Sequence, residues 1–217
     1  QTKQWETADE YLSGYVKDKL KTALYYAEKE PKRYGKNVEA LKRVQPKELT
    51  ASEISVRLGA TWIPVDMIND FMYETFQTPF YRRNDIKVSY SKINSQWYVS
   101  NKRLDLHTNV LTNTTYGTKR INGYEILQSS LNLKDVKIFD KKENENGNEI
   151  RVLNTKETTL AQQKQTALKE AFQNWIFKDS DRRECVTKLY NDIFNNIVPP
   201  QYVGSYLHFH NMNPEIC

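Results

Sequence analysis

The spacing of apolar residues changes twice along the chain, and this limits the fold more than any short motif does. In "TADEYLSGYVKDKLKTALYYAEKE", Tyr11, Leu12, Val16, Leu20, Ala23, Leu24 and Ala27 recur at helical spacing behind a Thr7/Glu10 capping box, and the run stops at Pro31. A short helix over 37–44, ended by Pro46, is expected to pair antiparallel with it. A second capping box, Thr50 with Glu53, predicts a helix reaching Leu58 with Gly59 as its stop, and a further helix follows over 64–76. The period then becomes two. Residues 86–90 and 96–100 alternate around a polar turn and predict a β-hairpin. A helix over 118–131 follows, and "VKIFD" and "IRVLN" flank an acidic turn as a second hairpin. Helical spacing returns over 156–178 and 180–197, until Pro199-Pro200 breaks it. The expected class is α+β and mainly helical, with helical N- and C-terminal parts flanking a small antiparallel β-hairpin region. The expected segments are 1–77, 78–154 and 155–217.

With 38% apolar and 12% aromatic residues, including 14 tyrosines, the chain has the payload to build a core. No apolar run approaches the ~20 residues of a membrane span, so a soluble protein is expected. Cys185 and Cys217 lie far apart with no CxxC partner, which suits a reducing cytoplasm and predicts no structural disulfide. Gln1 follows no initiator Met, and "YLHFHNMNPEIC" ends on neither a capped helix nor a charged tail. A piece of a longer chain is the expectation.

Net charge is +5, but its distribution is uneven. Between Thr78 and Arg120, eight Lys and Arg face two Asp, a surplus of six that exceeds that of the whole chain. Cations interleave with aromatics there: Arg82, Arg83, Lys87, Lys92, Trp97, Arg103, Tyr116, Lys119 and Arg120. Lys and Arg neutralise phosphates and flat side chains stack on unpaired bases, so these nine are the candidate nucleic-acid-binding residues. The competing reading is a solvated hairpin whose Trp97 and neighbours pack on helices. If Thr118 caps the helix it opens, Lys119 and Arg120 sit against a helix dipole that favours anions, and a bound phosphate would relieve that conflict.

Other chemistries lack their residues. None of the seven glycines fits a GxxxxGK[ST] phosphate loop, and Asp9-Glu10 read as first-turn acids of a helix. "VPPQY" resembles the Asn-Pro-Pro-Tyr loop of adenine methyltransferases, with Val198 in place of the essential Asn. His208 and His210 could form half a metal site, but no third ligand stands in register. Three histidines without supporting context make no catalytic triad. The stretch "ASEISVRLGATWIPVDMINDFM" has the flavour of a helix-turn-helix, yet its second helix carries Asp66, Asp70 and Glu74 with no cation, which a phosphate backbone would repel.

Seven ordered blocks carry a resemblance: "DEYLSGYVKDKLKTA", "VQPKELTASEISVRLGATWIP", "YGTKRINGYEIL", "LNTKETTLAQQKQ", "FQNWIF", "RRECVTKLYNDIFN" and "MNPEI". Together they resemble one stretch of the very large bacterial DNA methylase/helicase fusions of integrative elements, plasmids and phages, often described as Swi/Snf-type helicases or adenine-specific DNA methylases. The resemblance implies a connector between an upstream methyltransferase module and a downstream helicase motor, with no catalytic residue of its own. DNA and those neighbouring modules would be its partners. ATP with Mg and S-adenosylmethionine would serve the parent protein, and no cofactor is expected in this segment. The "YLHFHNM" region is more histidine-rich than the family pattern and lacks its Gly before the Met, so His208, His210 and Asn211 inherit no role. A structural spacer that docks the two modules without touching DNA is the alternative, and it predicts an exposed apolar stripe at Phe172, Trp175, Ile176 and Phe177.

Overall fold

The computed structural model describes residues 6–104, 109–143 and 148–201. Helices predominate and every strand among the described residues belongs to a small antiparallel pair, so the class is α+β and mainly helical. The chain divides into two compact units, one formed by its first 54 residues with those from Thr187 onward, the other by Ser55–Val186. This division follows different lines from the 1–77, 78–154 and 155–217 segments, because the first unit joins residues from both ends of the chain.

In the first unit, the Thr7/Glu10 capping box forms and opens α1 (Ala8–Tyr11). The helix does not continue as its apolar spacing predicts. Gly14 adopts φ +71°, and Gly14–Tyr15 (β1) leaves the helical path before α2 (Val16–Lys29) begins. The α3 helix (Pro31–Arg43) starts six residues earlier than predicted, since Pro31 occupies its first turn, where a missing N–H costs nothing. Ala23, Val38 and Leu41 form the core of this helix pair, with Tyr11, Leu12, Leu20 and Ala27 packed against it. Gln45 Nε2 donates to the Val16 carbonyl at 3.2 Å, so the end of α3 lies beside the start of α2, as in an antiparallel pair. No helix forms after Thr50. Its N–H and hydroxyl both donate to the Glu53 carboxylate, at 2.7 and 2.8 Å, but the chain then extends and buries Ile54, Val56 and Leu58 in alternation. Without that helix, the helix-turn-helix reading has no first element.

The second unit is built from α4 (Val65–Thr75), the hairpin β2 (Val88–Ser91) and β3 (Gln96–Val99), α5 (Gly123–Leu131), the hairpin β4 (Phe139–Glu143) and β5 (Glu149–Leu153), and α6 (Thr155–Lys178). The α7 helix (Ser180–Phe194) begins here and runs across the division, and β6 (Ile197–Val198) pairs with β1 in the first unit. Ile68, Phe71, Met72 and Phe76 of the α4 region, Tyr124, Ile126 and Leu127 of α5, and Leu168, Phe172 and Ile176 of α6 are buried. Phe71 meets Phe172 edge-on at 5.0 Å. Phe172 and Ile176 are thus core residues, and the exposed stripe expected of a pure spacer does not form at them.

A two-stranded sheet leaves both of its edges with unpaired peptide groups. Side-chain amides meet those of β2–β3. On one edge, Asn69 of α4 accepts from the Val88 N–H at 2.7 Å and donates to its carbonyl at 3.3 Å. On the other, Asn132 accepts from the Trp97 N–H at 2.9 Å and donates to its carbonyl at 2.8 Å, while Gln128 accepts from the Val99 N–H at 2.9 Å. The hairpin is thereby clamped between α4 and α5, which sets the ground under the basic window.

Candidate nucleic-acid interface

The start of α5 organises the site. Asn122, not Thr118, caps the helix: its Oδ1 accepts from the Glu125 N–H at 2.9 Å, and Glu125 returns a bond to the Asn122 N–H. Asn122 outcompetes Thr118 because it has the acidic N3 partner that completes a capping box. The Thr118 hydroxyl instead accepts from the Arg120 and Ile121 N–H groups, both at 3.2 Å, closing a turn before the helix. Lys119 and Arg120 therefore lie on that turn and not in the first helical turn, so the dipole conflict expected from the sequence does not arise. Gly117 is required beneath them, since a Cβ would fall 2.0 Å from the Thr112 carbonyl oxygen of the π-helical turn Leu111–Thr115.

These elements enclose a cleft of about 480 Å³ that brings together Arg103, Lys119 and Arg120 with Asn113, Thr114 and Thr118. Arg103 Nε and Nη2 both approach one Glu125 carboxylate oxygen at 3.4 Å, with the Arg103 side chain 78% exposed. Arg120 is held more tightly, Nη1 donating to Asp140 at 2.9 Å and Nη2 to the Phe139 carbonyl at 3.0 Å. The Asn154 amide, and then Arg120, hold the Asp140 carboxyl below its ordinary 3.8. Lys119 is exposed and makes no ion pair with any described residue. The cleft lining gathers three cations and several hydrogen-bond donors around the Glu125 carboxylate, with Lys119 and Arg103 the more exposed cations, a combination suited to phosphate oxygens.

The other candidates go elsewhere. Arg83 is a structural latch: its guanidinium lies over the Tyr73 ring at 5.1 Å and its Nε donates to the Thr78 carbonyl at 3.2 Å. Arg82, on the 3-10 turn Phe80–Arg82, is half-buried beside the Tyr81 ring. It lines a separate cleft of about 440 Å³ with Tyr81, Leu104 and Val110. Lys87 and Lys92 are exposed on the β2–β3 hairpin and line neither cleft. Trp97 is 2% exposed with its ring against Tyr90 at 4.8 Å, so it is a core residue and no base can stack on it in this fold. Tyr116 is half-buried on Phe76 at 5.9 Å. The aromatics of this window that reach solvent furthest are Phe80 and Tyr81, 85% and 73% exposed, with Tyr98 of β3 at 39%. The place of Phe80 and Tyr81 directly before two arginines could have marked them, but nothing in the sequence separates an outward ring from an inward one.

Further chemistry is sparse in the described part. Among the described residues, no group of three or more His, Cys, Asp or Glu could hold a metal ion, and no helix is long and apolar enough to cross a membrane. Cys185 is a free, exposed thiol. Cys217, His208 and His210 lie outside the described residues.

The model of the family described as Domain of unknown function (DUF8437) matches residues 57–196, well over half of the chain. The chain belongs to the DUF8437 family. The DUF8437 match takes in α4 through α7 with both hairpins, and therefore all nine candidate residues and the cleft at the start of α5. No curated protein and no solved structure matches the chain.

Proposed function

We propose that this chain is a non-catalytic DNA-contacting connector of a larger methylase/helicase protein, and that it positions DNA for the neighbouring modules. The observation that carries the reading is the meeting of Arg103, Lys119 and Arg120, drawn from a strongly cationic stretch, at one polar cleft. The resemblance in seven blocks supports the company of a methylase and a motor. In this reading ATP with Mg and S-adenosylmethionine belong to those modules, and the protein works in the cytoplasm, where such DNA is found. Lys119, exposed and unpaired with any described acid, contacts phosphate first; Arg103 exchanges the Glu125 carboxylate for a second phosphate oxygen.

Fluorescence anisotropy with labelled duplex and single-stranded DNA over a salt series tests this. Affinity should fall steeply with salt, and Arg103→Ala/Lys119→Ala should weaken binding and reduce the salt slope by roughly one for each phosphate that is no longer neutralised. Equal affinity and slope in the folded double variant would sink the assignment. A second reading, a spacer that docks a neighbouring module, is favoured by one observation: the exposed side chains of Tyr81, Leu104 and Val110 line one cleft of the second unit, and Phe80 beside Tyr81 in the chain is 85% exposed. It predicts that Phe80→Ser/Tyr81→Ser disrupts association with the adjoining module while leaving DNA affinity unchanged.

A further inference from the structure

The helix pair of the first unit carries a surface that the basic window does not include. From Val16 to Arg43 the sequence has nine Lys and Arg against four Asp and Glu; Lys17, 11% exposed, is spent on Glu48 and Asp192, and the other cations leave the surface of the pair net basic. On this background lies a cluster of tyrosines. Tyr11, Tyr15, Tyr26 and Tyr34 line a cleft of about 410 Å³ whose small-residue wall is Ala23. Tyr15 is 58% exposed, and Tyr25 and Tyr26 are 55% and 42% exposed. Tyr26 stands 5.4 Å from Tyr25, edge-on, and 5.5 Å from Tyr34 at 38°.

Cations are interleaved with these rings. Lys29 Nζ lies 4.1 Å from the centre of the Tyr25 ring, and the Arg33 guanidinium lies 5.3 Å from that of Tyr34. Lys21 and Arg33 are 67% and 62% exposed, and each has a carboxylate neighbour on its own helix pair, Asp18 and Glu30. Lys19, by contrast, is consumed within the fold, donating to the carbonyls of Glu10 and Tyr11 at 2.9 and 3.1 Å. Among the described residues, Asp18 is the one carboxylate lining the cleft, and Lys21 offsets it.

We propose that the tyrosine cleft of α2–α3 binds single-stranded nucleic acid, one or two unpaired bases stacking on Tyr26 and Tyr34 while Lys21, Lys29 and Arg33 take the flanking phosphates. The cleft lies within the size range of small-ligand pockets, and aromatic walls accept any base because every base has a π-face. Duplex DNA hides those faces, so the surface discriminates single strand from duplex without reading sequence. The surrounding positive charge disfavours a cationic peptide and attracts a polyanion. Nothing in this surface depends on the Arg103–Lys119 cleft, which lies on the other unit.

The test uses the whole chain and a single-stranded oligothymidine carrying one 2-aminopurine, with anisotropy for affinity and 2-aminopurine emission for stacking. Tyr26→Ala/Tyr34→Ala should weaken single-strand binding about ten-fold or more and abolish the emission change, because the bases have no ring left to stack on. Tyr26→Phe/Tyr34→Phe keeps both ring faces and should bind as the parent does. Lys21→Ala/Lys29→Ala/Arg33→Ala should lower affinity and flatten the salt slope. Arg103→Ala/Lys119→Ala should leave the emission change intact, which separates this surface from the first cleft. Unchanged affinity and emission in the folded Tyr→Ala variant, or no single-strand binding by the parent, would overturn the proposal. So would an emission change that disappears only in Arg103→Ala/Lys119→Ala, since stacking would then belong to the second unit.

Discussion

Gly59 holds φ +95°, and a Cβ there would lie 2.5 Å from the Leu131 carbonyl oxygen. Both the backbone conformation and the close approach reject a side chain. Gly59→Ala should destabilise by more than the ~1 kcal/mol by which such a change stabilises at a compatible site, read as a lower urea midpoint at unchanged slope. The sequence marks this glycine as a helix stop, which matches its left-handed conformation but not the reason for it, because no helix precedes it. Asp140 gives a prediction in pH. Its carboxyl is held below 3.8 by the Asn154 amide and then by Arg120. Its contribution to stability is therefore fully present above 3.8 and is lost as pH falls through its lower folded value. Asp140→Asn should flatten the acid limb of a plot of urea midpoint against pH and leave the slope of the neutral limb unchanged. It would also release Arg120 from its carboxylate, so its effect on DNA affinity separates a pinned guanidinium from an available one.

Element boundaries follow local pattern where an element has no local rival. The α4, α6 and α7 helices and both hairpins fall within a few residues of their predicted positions, since uninterrupted periodicity and polar turns fix them within a short window. Apart from the start of α3, which Pro31 sets, the misplaced boundaries share a cause. At 12–15, 50–58 and 118–122, helical spacing is present, but another arrangement satisfies the backbone better: strand pairing to β6, extended burial of Ile54, Val56 and Leu58, and the capping box at Asn122. Each depends on a partner or a rival cap that periodicity does not weigh. The edge clamps of β2–β3 are equally hidden, since Asn69, Gln128 and Asn132 look like ordinary helix-surface amides. Asn132→Leu would leave the Trp97 N–H and carbonyl without this partner, at about 1–3 kcal/mol for each group left unsatisfied. Amide hydrogen exchange should accelerate at Trp97 more than at Val88, whose clamp is the separate Asn69.

At the level of the whole molecule, cationic enrichment over 78–120 is visible as composition, yet the residues sharing a face are not. Arg103 reaches Lys119 and Arg120 because α5 and the π-helical turn fold beside the hairpin's exit, bridging many intervening residues. The aromatics divide in the same way. Trp97→Ala should destabilise the fold by about 3–5 kcal/mol through loss of a buried ring, and any loss of DNA binding should track the unfolded fraction. Phe80→Ala and Tyr81→Ala, with rings already in water, should leave the urea midpoint nearly unchanged. Periodicity, turn chemistry and charge counts are local properties of neighbouring residues, so the mainly helical α+β class, the hairpins and the cationic bias could be read from the chain alone. Which arginine meets which lysine, which ring faces the core, and which amide closes a strand edge are pairings between distant residues. Packing settles them, because burial of one apolar face commits every side chain on the opposite face to solvent.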